Sequence, residues 1–238
     1  MSSLFNNRKR PVQEAVGQLL LLASFIVAIV YGGGWYSPEW LWPLIIKASA
    51  VGLLAIFVLF SMQTINHLLL FVALAASVGG DILLELPGDD SFTRGLTSFL
   101  AAHVFFIILY VKNRMLAEDI TAIRVRLAAL MWALAAVAAY FIYPNLGDMA
   151  MPVITYSVVL AAMATTALFS KFPVKLVGFG ALLFVVSDAV LGARMFSAMP
   201  DFTSYIVWAT YYLAQLLMVL GIMLTDERPT NYGGYRFD

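Results

Sequence analysis

Apolar residues run along this chain in long unbroken blocks, and polar residues gather in the short gaps between them. Taking uncharged stretches bounded by charges or turn residues predicts eight helices, near residues 15–31, 40–61, 67–86, 95–111, 127–143, 150–169, 176–196 and 202–224. Each is close to the roughly 20 mostly apolar residues that cross a bilayer core. The gaps carry turn chemistry in Gly32-Gly33-Gly34, Ser37-Pro38, Pro87-Gly88-Asp89-Asp90, Pro144-Asn145, Pro173 and Met199-Pro200-Asp201. Continuous runs of this kind lack the alternation of a transmembrane β-barrel. The expected fold is an all-α integral membrane protein, one polytopic domain of eight transmembrane helices.

Composition narrows the chemistry. Of 238 residues, 62% are hydrophobic and 12% charged, against about a quarter charged in soluble domains. The 14 Lys+Arg balance the 14 Asp+Glu, and no basic cluster stands beyond Arg8-Lys9-Arg10, so there is no footprint for nucleic acid. With no cysteine, disulfides, thiolate nucleophiles and thiolate metal sites are excluded. His67 and His103 cannot make a three-histidine zinc site. The G-x-S-x-G and H-E-x-x-H motifs are absent, so no metal or cofactor is expected.

The first helix follows Arg8-Lys9-Arg10 but outruns a signal-peptide core and lacks a small-x-small cleavage site, so it reads as a retained anchor. With the N-terminus cytoplasmic, the inner segments hold Arg8, Lys9, Arg10, Lys112, Arg114, Arg124, Arg126, Lys171, Lys175, Arg228 and Arg236, and the outer ones only Arg94 and Arg194. This excess places both termini in the cytoplasm and the acidic loop 85–90 outside. Short loops point to a bacterial inner membrane.

The two halves, 11–112 and 124–225, resemble each other. Pro43-Leu44-Ile45-Ile46-Lys47 matches Pro152-Val153-Ile154-Thr155-Tyr156, Asp81-x-x-Leu84 matches Asp188-x-x-Leu191, and Leu100-Ala101-Ala102-His103 matches Leu213-Ala214-Gln215, at offsets of 109, 107 and 112 residues. Four helices per half imply parallel repeats about an axis along the membrane normal, with Asp81 facing Asp188.

Intramembrane charge is costly and marks protein interior or wet cavities. Here it is confined to Lys47, Asp81 and Asp188, with titratable His103, and with Glu85 and Arg194 nearer a helix end. At about 1.5 Å of rise per residue these groups, with Tyr211 and Gln215, share a layer in the outer half of the membrane. Asp81 and Glu85 share a helical face, as do Tyr211 and Gln215. Two carboxylates in one layer can divide acid and base work, one kept protonated by burial and repulsion and the other held ionised by a cation such as Lys47. Asp81 and Asp188 are therefore the candidate catalytic pair. Lys47, His103, Glu85, Tyr156, Ser187, Tyr211, Gln215 and Arg194 are candidates for binding substrate or tuning the pair, although Ser187 points away from the Asp188 face. Gly178, Ala181 and Gly192 lie near that face, where small residues allow helices to approach. Trp208 reads as a packing aromatic, and His67, at a cytoplasmic helix end, as solvated. The same acids would serve as ion sites in a proton- or cation-coupled transporter or a lipid-binding protein.

Gly79-Gly80-Asp81-Ile82-Leu83-Leu84, Ala102-His103, the segment from Gly180-Ala181-Leu182-Leu183-Phe184 through Val185-Val186-Ser187-Asp188, and Tyr211-Tyr212-Leu213-Ala214-Gln215 together resemble the YhhN family of membrane lysoplasmalogenases. The likeness covers nearly the whole chain in order. Two positions depart from it: Ala48 follows Lys47 where family members commonly carry proline, and Phe106 replaces an aromatic hydroxyl. The resemblance implies hydrolysis of the vinyl ether bond of alkenyl lysophospholipids to a fatty aldehyde and glycerophosphocholine or glycerophosphoethanolamine. One aspartate would protonate the vinyl carbon while the other stabilises the resulting cation and activates water. Lys47 and His103 would tune the pair or contact phosphate, and Tyr211 and Gln215 would position water or glycerol oxygens. The partners implied are a lysophospholipid and membrane lipids. A hydrolase acting on another lysolipid would use the same scaffold.

Overall fold

A computed structural model describes residues 11–39 and 41–225; Arg8-Lys9-Arg10, Trp40, Arg228 and Arg236 lie outside the described residues. Within them the chain forms α1 (Pro11–Gly32), α2 (Leu41–Phe60), α3 (Ile65–Glu85), α4 (Ser91–Lys112), α5 (Ala122–Ile142), α6 (Ala150–Leu168), α7 (Phe179–Phe196) and α8 (Thr203–Thr225). All eight are long and apolar enough to cross a membrane, as befits an integral membrane protein. The largest departures from the expected boundaries come from charge. α4 begins four residues before 95 and α5 five before 127, because Arg94, Arg124 and Arg126 lie among the first five residues of helices that extend beyond the apolar stretch. A wide turn over Val174–Gly178 leads into α7, with the Pro173 carbonyl accepting from both Leu176 and Val177 amides.

The core is a contiguous apolar cluster drawn from the helices, with Leu54, Phe57, Leu70, Leu74, Phe106 and Met218 fully buried. α3 and α4 pack closely. A Cβ built on Gly80 would come within 2.6 Å of the Phe99 ring, and one on Gly95 within 2.6 Å of Leu84, so neither position accepts a side chain without displacing its neighbour. Ser98 on α4 donates to the Ala76 carbonyl of α3 at 2.7 Å, closing the pair. Polar contacts fasten α1, among them a 2.9 Å hydrogen bond between the Ser24 and Tyr212 hydroxyls. Its Ser24 hydroxyl donates to the Ala50 carbonyl at 2.6 Å, and its Ala28 carbonyl accepts from Trp208 Nε1 at 2.9 Å. Trp208 is thus buried against α1.

At the end where α4 meets α5 and α6 meets α7, two loops are tied together. Met115 N donates to the Phe169 carbonyl at 2.9 Å and Lys171 N to that of Asn113 at 2.8 Å. Lys112 donates to Asn66 at 2.8 Å beside them, and Arg124 donates to the Leu168 and Ser170 carbonyls. His67 corrects the expectation of solvation: it is 3% exposed, and its Nδ1 accepts the Gln63 amide at 3.2 Å. The ring turns back to satisfy the amide of Gln63, which lies just before the Thr64 N-cap of α3.

α5 is the least embedded helix after its first turns. Ala128 and Met131 are its buried side chains, and Trp132 Nε1 bonds Thr165 Oγ1 at 3.0 Å. Beyond Trp132 it leans over a space between α4, α6 and α7 instead of filling it.

Candidate active site

Two polar clusters occupy the end of the bundle that carries the α1–α2, α3–α4, α5–α6 and α7–α8 connections. In the first, Lys47 of α2 reaches two carboxylates of α3. Its Nζ lies 2.9 Å from Glu85 Oε1 and 3.8 Å from Asp81 Oδ1. Asp81 is 2% exposed and also accepts from the Tyr211 hydroxyl of α8 at 2.7 Å. Helical spacing explains the arrangement: Asp81 and Glu85 are one turn apart, so a single ammonium can span both. A carboxylate this deep persists only with such partners, since each uncompensated buried charge is expensive.

In the second cluster, Asp188 of α7 accepts a short hydrogen bond from the Tyr156 hydroxyl of α6. That phenol oxygen lies 2.9 Å from Nε2 of His103 on α4, and the same nitrogen is 3.6 Å from Asp188 Oδ2. His103 is fully buried, its ring edge-on to Phe184 at 4.9 Å. With Tyr156 donating to Asp188, Nε2–H of His103 must donate to the phenol oxygen. The three groups therefore form one directed chain of hydrogen bonds ending on the carboxylate. Lys47 thus contacts Asp81, and Tyr156 contacts Asp188.

A polar cavity of about 360 Å³ joins the clusters. Lys47, Asp81, Glu85 and Asp188 line it together with Tyr31, Tyr36, Trp208 and Tyr211. On the other face of α7 lies an apolar cavity of about 260 Å³, walled by α4, α5 and α6 and containing Tyr156 and Gly192 in its lining. Leu84, Phe99, Asp188 and Leu191 line both cavities. Asp188 therefore stands at the pass between a charged chamber and an oily one.

The remaining predicted positions divide. Gln215 is fully buried one turn from Tyr211, and neither of its amide atoms completes a hydrogen bond. Ser187 lines the polar cavity but spends its hydroxyl on the Val207 carbonyl at 2.9 Å, fastening α7 to α8. Arg194 also reaches the cavity, while its guanidinium donates to Thr203 Oγ1 at 2.6 Å and to the Pro200 and Asp201 carbonyls. A Cβ added to Gly178 would meet Val174 of its own turn at 2.8 Å and Leu168 of α6 at 3.2 Å, whereas one on Gly192 would meet nothing within 4 Å. Tyr31, Tyr36, Phe99 and Leu191 were not legible as lining residues. The only sequence signal for the tyrosines is their position beside the Gly32-Gly33-Gly34 turn, where helix-end aromatics are common in any membrane protein.

Comparison with known proteins gives a consistent family. The model of the YhhN family matches residues 42–222. A protein named lysoplasmalogenase from Mycobacterium bovis is 33% identical over 164 residues, which cover 67% of this chain and 62% of the relative; the same figures hold for its counterpart in Mycobacterium tuberculosis. This chain thus spans about three fifths of the length of those mycobacterial relatives. Lysoplasmalogenase TMEM86A of Bos taurus is 26% identical over 229 residues, covering 89% of this chain and 92% of the relative. No solved structure matches the chain.

Proposed function

This chain belongs to the YhhN family, and from that premise we propose that it hydrolyses the vinyl ether bond of single-chain alkenyl lysophospholipids, using Asp81 and Asp188 as a pair. The observation that carries the reading is the position of Asp188, which lines both the charged cavity and the apolar one. A lysolipid lying across that pass has its headgroup among Lys47, Glu85 and Arg194, its hydrocarbon chain in the oily chamber, and its reacting carbons beside the carboxylate.

Asp188 is the acid. Its proton passes to the vinyl carbon remote from oxygen, and the double-bond electrons form that C–H bond, leaving an oxocarbenium ion at the adjacent carbon. Asp81, held by Lys47 and Tyr211, faces this cation as a carboxylate and takes a proton from the water that attacks it. The hemiacetal then collapses. Its hydroxyl proton returns to Asp188, the proton on Asp81 passes to the departing glycerol oxygen, and the products are the fatty aldehyde and the glycerophospho-base. Water is consumed and both carboxyl groups end as they began. The His103–Tyr156 chain holds the Asp188 proton: once Asp188 has taken a proton from water in the polar cavity, it donates to the phenol oxygen and Tyr156 donates to Nε2 of a His103 that carries its own proton on Nδ1. Replacing Tyr156 with phenylalanine breaks this chain, and kcat is expected to fall by about ten- to a hundredfold with KM little changed. Steady-state kinetics on an alkenyl lysophospholipid checks it; an unchanged kcat removes Tyr156 from the proton's route.

We read the two halves, 11–112 and 124–225, as parallel repeats, a reading that halves failing to superpose would end. Lys112, Arg114, Arg124, Arg126, Lys171 and Lys175 all belong to the end opposite the cavities, so the positive-inside rule puts the cavities at the outer face of a bacterial inner membrane with both termini cytoplasmic. Because the chain has no cysteine, Asp89→Cys introduces a unique thiol in the α3–α4 loop. A membrane-impermeant maleimide is expected to label it in intact spheroplasts; labelling only after lysis reverses the orientation.

The decisive assay for the activity uses purified protein in detergent with an alkenyl lysophospholipid and detects free aldehyde. Turnover is the expected result. Bound lysolipid without aldehyde would favour the lipid-binding or transport reading instead.

A further inference from the structure

Gly192 sits inside the C-terminal third of α7, one turn beyond Asp188 and on the same face. Glycine weakens a helix interior relative to alanine, so its presence there calls for a local reason. In membrane helices the usual reason is close approach of a neighbouring helix. That holds for Gly180 in the same helix, where an added Cβ would lie 2.9 Å from Met218 and 3.0 Å from the Ala214 carbonyl. It does not hold for Gly192, where an added Cβ would meet no atom within 4 Å apart from its chain neighbours and the backbone of its own helix. The emptiness has an address. Gly192 lines the apolar cavity, whose lining also includes Asp188, Ala139 of α5 and the edge-on pair Phe92 and Phe196, with centroids 5.6 Å apart.

We infer that Gly192 is a specificity-determining position: its missing side chain keeps clear the channel along which the substrate's single hydrocarbon chain leaves Asp188 for the apolar cavity. The inference rests on the hydrolase reading above and adds to it the course of the chain. Two further observations fix that course. Asp188 is shared by both cavities, so a chain attached to the reacting carbon enters the apolar one at its own side. Gly192 lies about 6 Å from Asp188 along the helix face, so it flanks the chain several carbons past the reacting bond. A side chain here therefore discriminates by chain length: it obstructs a long tail and leaves a short one, which ends before it, untouched.

The test compares wild type, Gly192→Ala and Gly192→Leu with Gly52→Leu. Gly52 also has an open Cβ position but lines neither cavity. Each protein is assayed in detergent with sixteen-carbon and four-carbon alkenyl lysophospholipids. Its occupancy by a non-cleavable sixteen-carbon alkyl lysophospholipid is read by native mass spectrometry, and its Tm is measured. Gly192→Ala is expected to melt at or above the wild-type temperature. Gly192→Leu is expected to raise KM for the long substrate by about tenfold or more while the short substrate's kcat/KM stays within about twofold. Alkyl lysolipid occupancy falls in parallel, and Gly52→Leu leaves all readouts at wild-type values. A wild-type KM and occupancy in Gly192→Leu would overturn the inference, as would equal loss of both substrates with a lowered Tm, the mark of a packing glycine. If wild type releases no aldehyde but occupancy still falls in Gly192→Leu, the hydrolase reading fails and the channel stands.

Discussion

Asp188→Asn is expected to lower kcat/KM for aldehyde release by about three orders of magnitude while leaving the fold intact. The side chain keeps its size, and its amide oxygen still accepts from Tyr156, so the hydrogen-bonded chain from His103 survives. What disappears is a proton that can be given to carbon: an amide N–H is far too weak an acid. Asp81→Asn should do comparable damage by another route, because its oxygen still accepts from Tyr211 but no negative charge faces the developing cation. The check is steady-state kinetics with Tm measured on the same samples. Full activity in either variant takes that residue out of the chemistry.

Lys47→Met is expected to damage both stability and turnover. The ammonium is shared by Asp81 and Glu85, and removing it leaves a nearly inaccessible carboxylate without its cation. Breaking a buried pair from one side typically costs about 3–5 kcal/mol, which in a chain of this size lowers Tm by roughly 10 °C. Turnover should fall by about a hundredfold or more, since the site no longer holds one carboxylate charged beside an acid. The triple variant Lys47→Met/Asp81→Asn/Glu85→Gln separates the two effects: Tm should recover, because no uncompensated charge remains, while activity stays lost. A Tm that falls further in the triple variant would mean that Lys47 acts through packing of its stem instead.

Elements and site differed in how far they could be read from the chain. The eight helices were plain because lipid-facing and core-facing residues are both apolar, so whole spans stand out as blocks. The same uniformity hid rotation: nothing in α7 says which flank of Leu191-Gly192-Ala193 faces a neighbour, and Gly192 was read as a contact where the structure has open space. Lys47, Asp81 and Asp188 were conspicuous because charge inside a membrane is rare. Tyr156 became visible only through its match to Lys47 across the two halves. His67 misled because a position near a helix end does not reveal whether a ring turns back to satisfy an amide. The division of the interior into a charged and an oily chamber was not legible at all, since it depends on how α5 leans away from α4 and α7. Phe99 and Leu191, which line both chambers, are ordinary hydrophobic residues until that division exists.

The central claim is that this site protonates a vinyl ether carbon, and one measurement meets it most directly. The purified protein is incubated with an alkenyl lysophospholipid in D₂O, and the aldehyde is trapped and analysed by mass spectrometry. The account predicts aldehyde carrying one deuterium on the carbon next to the carbonyl, formed by wild type and lost in Asp188→Asn. Aldehyde without that deuterium, or undiminished deuterated aldehyde from Asp188→Asn, would contradict it.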